Sequence, residues 1–181
     1  MKKNILVLAA LSFASIVGCK KDENPVVANT ETATRFTTSA SVKTAPVYFS
    51  FDTGGIVDST GAWDLKLTYT LMVVDTSIPA IKYPFIALNQ SRTVQGKIVD
   101  GMDFSACNGS TTTGLALDNG TSAVIGVNCL NYDSNTHLLN PFANRTFVVK
   151  TGSNARTKFK MVSYYNEALV SGYMTFDYVK Y

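Results

Sequence analysis

Few side chains in this sequence could carry chemistry. His137 is the only imidazole in 181 residues, so a three-histidine metal centre is excluded and a histidine-based triad has one candidate. The thiols are Cys19, Cys107 and Cys129. Cys107 and Cys129 are too far apart for a Cys-x-x-Cys redox pair, and they do not follow zinc-ligand spacing. No G-x-S-x-G elbow, no H-E-x-x-H and no phosphate-binding G-x-x-x-x-G-K-S/T occurs. Thirteen carboxylates could contain a glycosidase pair, but spacing distinguishes none of them. The residues read as those of a binding protein, not an enzyme.

The elements that must position these groups are strands. From about residue 35 the apolar period is two rather than 3.6. Trp63, Leu65, Leu67, Tyr69, Leu71 and Val73 alternate with Asp64, Lys66, Thr68 and Thr70, a long half-buried strand. Val47 to Phe51 is a shorter one, closed by an Asp-Thr-Gly-Gly turn. Leu115 to Leu117 and Ala123 to Ile125 flank Asn119-Gly120, which suits a type I′ hairpin. Arg145 to Lys150, Arg156 to Tyr165 and Gly172 to Tyr181 complete the strand set, and Asn166 to Val170 fits a single helical turn. Pro46, Pro79, Pro84 and Pro141 fall at strand edges or in loops. The expected fold is all-β, a single-domain antiparallel sandwich or irregular barrel of roughly ten strands. With 46% hydrophobic residues, ten Phe and nine Tyr, the chain can bury a core. Global disorder is therefore excluded. No apolar run reaches the ~18–20 residues of a spanning helix.

The start of the chain is different. Lys2 and Lys3 precede an apolar stretch from Ile5 to Val17, as in a secretory signal. Ile16-Val17-Gly18-Cys19 resembles the bacterial lipobox, in which the cysteine thiol takes a diacylglycerol and becomes the new N-terminus. Residues 1–18 are thus expected to be a lipoprotein signal peptide. Residues 19–34 would be the lipidated Cys19 and a flexible tether, and 35–181 the all-β domain. The Lys-Asp-Glu run after Cys19 is similar to the export tag of surface lipoproteins in Bacteroidetes-type bacteria. Without Lys2 and Lys3 the chain has 14 basic against 13 acidic residues, which does not support nucleic-acid binding. In an exported protein Cys107 and Cys129 are candidates for a disulfide. Two free buried thiols are the alternative.

Several segments resemble the HmuY-like haem-binding lipoproteins of Bacteroidetes. Near the domain start these are Tyr48-Phe49-Ser50-Phe51, a glycine turn and Trp63-Asp64-Leu65. Near the end they are Asn144 to Lys150, Lys158 to Tyr165, and Gly172 to Tyr178. The resemblance does not extend over roughly 75 to 128. It implies an HmuY-like all-β domain, lipid-anchored at the outer membrane and exposed at the cell surface. It also implies capture of haem and its transfer to a TonB-dependent receptor. Membrane contact would be through the lipid anchor only.

Family members hold the iron between two axial side chains. His–His ligation within one chain is excluded here, which leaves His–Met or Met–Met. The candidates are His137, Met102, Met72, Met161 and Met174. Met174 shares a strand face with Phe176 and Tyr178, and Met161 with Phe159, so both read as core. Met72 lies on the polar side of the long strand, and Met102 in a polar turn. Arg92, Lys97, Arg145 and Lys158 are candidate propionate partners. The alternative is a surface lipoprotein of the same fold that binds a glycan or a protein, with Tyr164, Tyr165, Tyr173 and Tyr181 as stacking surfaces.

Overall fold

A computed structural model describes residues 31–73, 76–77, 79–110, 113–120 and 122–181. Among them twelve strands form: β1 (Thr34–Thr37), β2 (Val47–Ser50), β3 (Gly55–Val57), β4 (Leu65–Met72), β5 (Ile81–Leu88), β6 (Gln95–Asp100), β7 (Ala116–Leu117), β8 (Asn131–Asp133), β9 (Leu138–Asn140), β10 (Arg145–Lys150), β11 (Arg156–Tyr165) and β12 (Ser171–Lys180). A six-stranded sheet runs β1-β12-β11-β10-β6-β7, a four-stranded sheet runs β3-β2-β4-β5, and β8 and β9 make a separate hairpin. All pairings between named strands are antiparallel. The only helical segments described are 3₁₀ turns at Gln90–Arg92 and Val127–Cys129. Asn166 to Val170 is a turn closed by Asn166 N–H to the Val170 carbonyl at 3.1 Å, not the expected helical turn.

The two larger sheets are joined by aromatic rings. Phe49 and Phe51 of the β2 segment meet Phe159 and Phe176 from β11 and β12. The Phe49 and Phe176 centroids are 5.1 Å apart, edge to face, a geometry that adds about 0.5–1.5 kcal/mol beyond burial. Met174 is fully buried and Met161 nearly so, so the alternation of β11 and β12 places both in the core. Pro84 lies inside β5, which is tolerated because β5 is the last strand of its sheet.

Several expectations are corrected. The apolar face of β4 does not stay buried to its end. β2 reaches only to Leu67, beyond which β4 pairs with β5 alone, and Leu71 and Val73 are exposed at 67% and 63%. The opposite face is covered there. Gly126 bridges to Ile86 at the free edge of β5, and the chain then turns so that the Leu130 carbonyl accepts the Tyr83 hydroxyl at 2.9 Å. Met72, assigned to a polar face, packs against the core cluster instead.

The 115–125 hairpin is also different. Asn119 and Ser122 exchange backbone bonds, but β7 pairs with Gln95 and Gly96 of β6, and no return strand forms among the described residues. The expected disulfide is not made, since Cys107 and Cys129 are both buried free thiols. Each is held in its own surroundings, with the Cys107 carbonyl on Lys158 Nζ and Cys129 Sγ donating to the Pro84 carbonyl at 3.6 Å.

The expected signal peptide and lipidated Cys19 lie outside the described residues. Most of the tether expected over residues 19–34 also lies outside the described residues, which begin at Glu31. The Glu31 carboxylate sits 2.7 Å from Lys158 Nζ.

Candidate functional site

The β8–β9 hairpin carries His137. Its four-residue turn, 134–137, is organised by Asp133, whose Oδ1 accepts the backbone N–H groups of Asn135 at 2.9 Å and Thr136 at 3.4 Å. These bonds keep the Asp133 carboxyl below its ordinary range. His137 closes the turn in the left-handed region, with φ of 57°. Two tyrosine hydroxyls fasten the hairpin to the sheets. Tyr83 donates to Leu130 just before β8, and Tyr165 of β11 accepts the Leu139 N–H at 2.9 Å.

A third hydroxyl positions the imidazole. Tyr132 Oη lies 2.6 Å from His137 Nδ1. In the tautomer where Nδ1–H donates to Tyr132, Nε2 keeps its lone pair and can ligate a metal. His137 itself is exposed.

His137 lines a cleft of about 600 Å³. Ile81, Leu138, Leu139, Tyr164 and Tyr165 form most of its apolar wall. Two cations complete it. Lys43 Nζ donates to Ser171 Oγ at 3.0 Å, and Lys82 Nζ to the Lys43 carbonyl at 2.9 Å. Lys82 also stands 4.4 Å from the Tyr69 ring centre. Among the described residues, neither ammonium pairs with a carboxylate. The cleft therefore combines one imidazole donor, an apolar wall and two ammonium groups available to anions.

The other sequence candidates do not converge here. None of the four candidate methionines lines this cleft. Met72 is nearest in register, opposite Ile81, but it packs into the core. Met102 is exposed at 42%, beside Asp103, which lines a second cavity of about 540 Å³ with Met161 at its buried side.

Arg35 and Arg145, which line that second cavity, are already engaged. Arg35 pairs with Asp177 at 2.8 and 3.0 Å, and Arg145 with Asp100 at 2.6 and 2.8 Å. The guanidinium of Arg145 also stacks 3.6 Å from the centre of Phe142. This fork-to-fork pairing depresses the Asp100 carboxyl.

The remaining propionate candidates do not line the cleft. Arg92 bonds Asp64 at 3.2 Å and the Ala62 carbonyl at 2.7 Å. Lys97 donates to the Thr113 carbonyl at 2.9 Å, and Lys158 is buried against Glu31. Lys43 and Lys82 were missed in the sequence. Lys82 carries a faint signal as the one charge in the apolar run of β5, and Lys43 carries none.

The thiols are poorly suited to chemistry. Burial raises the Cys107 thiol and pushes Cys129 up to about 12, so neither forms the thiolate that a nucleophile or metal ligand requires. No cluster of three or more His, Cys, Asp or Glu able to hold a metal occurs among the described residues. The four tyrosines considered for stacking do not form an exposed row. Tyr164 is buried, Tyr165 faces the cleft, Tyr173 is half-buried, and Tyr181 donates to Glu31 at 3.0 Å.

No family model and no curated protein matches the chain. Solved structures do match. A candidate lipoprotein from Bacteroides fragilis NCTC 9343 is 18% identical with a TM-score of 0.55, over 83% of this chain and 90% of that one. The apo HmuY analog of Tannerella forsythia is 15% identical with a TM-score of 0.53, over 82% and 95%. A candidate HmuY-like heme-binding protein from Bacteroides vulgatus ATCC 8482 is 14% identical with a TM-score of 0.54, over 81% and 91%. The shared property is the fold: this chain has the all-β HmuY-like architecture.

Proposed function

On the fold shared with HmuY-like proteins, we propose that this protein binds haem and does no chemistry on it. The observation that carries this reading is the cleft beneath the β8–β9 hairpin. His137 would give Nε2 to the iron, with the opposite ring nitrogen held by Tyr132. The apolar wall suits a porphyrin, and Lys43 and Lys82 suit its two propionates. The lipobox at Cys19 supports a lipid-anchored protein of the outer membrane, facing the cell surface. An open cleft with an exposed ligand at its rim suits a carrier that passes its cargo to a TonB-dependent receptor.

The test is a haemin titration of the purified protein, followed by absorbance in the ferric and ferrous states. A saturable Soret shift is expected. His137→Asn, which keeps a residue tolerant of the left-handed region, should abolish the axial signature. Lys43→Ala and Lys82→Ala should each weaken binding several-fold by removing a propionate contact. A folded protein that shifts the Soret band in neither redox state would overturn the reading.

A further inference from the structure

Resting on that haem reading, we infer that two copies of this chain close on one haem, each giving its own His137 to one face of the porphyrin. The iron has two axial positions. The chain has one imidazole, and none of the four methionines among the described residues lines the cleft. One chain therefore supplies a ligand to one face and leaves the other open. His137 stands at an exposed rim, where a second copy can reach the same iron.

The surroundings suit such a contact. Exposed apolar side chains from three hairpin ends surround the cleft: Leu71 opposite Lys82, Leu138 on the wall, and Leu169 and Val170 just before Ser171. A two-fold axis places this patch against its own copy, as an isologous interface requires. Charge makes the pairing conditional on the ligand. Lys43 and Lys82 of one cleft would face the same two lysines of the other, and like charges repel. The two carboxylates of a haem between them offset that repulsion. The dimer should therefore form with haem and not without it.

The experiment combines haemin titration with sedimentation equilibrium of the purified protein. The expected end point is one haemin per two chains, with a six-coordinate low-spin spectrum and a mass that doubles only when haemin is present. Leu169→Asp adds a charge at an exposed position outside the cleft lining. It should return the protein to a monomer and turn the spectrum five-coordinate and high-spin. A monomer with one haemin per chain and a six-coordinate low-spin spectrum would overturn the shared site while leaving haem binding intact. Doubled mass without haemin would overturn the ligand-dependent pairing. No Soret shift would overturn both readings together.

Discussion

Lys158 is a charged side chain only 1% exposed, with Glu31 Oε2 at 2.7 Å and the Cys107 carbonyl at 2.8 Å. Burial pulls its ammonium down, but the bonds to Glu31 and Tyr181 prevail and hold it above its ordinary range. Glu31 is lowered chiefly by the Lys158 hydrogen bond, against desolvation. A carboxyl lowered in the folded state stabilises above its ordinary value of 4.5 and loses that contribution as pH falls through the lowered value. Thermal stability should therefore drop on acidification below 4.5, and Glu31→Gln should flatten this part of the profile in melts at stepped pH. At neutral pH Glu31→Ala should cost about 1–2 kcal/mol. That is less than a fully buried pair, because Glu31 keeps some solvent contact. At the other end of the fold, Tyr132→Phe removes the hydroxyl that orients His137. Such supporting bonds are typically worth ~10–100-fold in metal affinity. Haemin affinity should fall about tenfold, with the circular dichroism spectrum unchanged.

Hairpin ends place the site, so the geometry of their turns governs it. Gly172, the second residue of β12, has a φ of 108°. A Cβ there would meet the Ser41 side chain and crowd Lys43 at 3.1 Å. Only glycine combines that backbone with that contact. Gly172→Ala should cost about 2 kcal/mol or more by urea denaturation. It should also weaken haem binding, because Lys43 and Ser171 both line the cleft. A change confined to stability would separate the turn from the site. Asp64 plays a similar role on another corner. Fully buried, it accepts the Phe51 N–H at 2.8 Å, the Gly152 N–H at 3.1 Å and an Arg92 N–H at 3.2 Å. This explains why an acid stands in the otherwise apolar opening of β4.

For the molecule as a whole, stability comes from the joined sheets and not from a cross-link. Because Cys107 and Cys129 are unpaired, a thiol reductant should leave the melting temperature unchanged. A fall of several degrees with reductant would reveal a disulfide, which typically contributes ~2–4 kcal/mol. The sequence by itself determined the strands, since period-two alternation is a local property. It also determined the all-β class and the core positions of Met161 and Met174. It singled out His137 because there is no other imidazole. Tertiary structure decided which polar groups remained available. Arg145 and Arg92 looked free in the sequence, yet Asp100 and Asp64 lie 45 and 28 residues away and meet them in the fold. Lys43 and Lys82, 39 residues apart, had no visible connection until β5 and the loop before β2 brought them to one cleft. Charge pairing and cleft formation depend on contacts between distant strands, and a local pattern carries no information about which strands will meet.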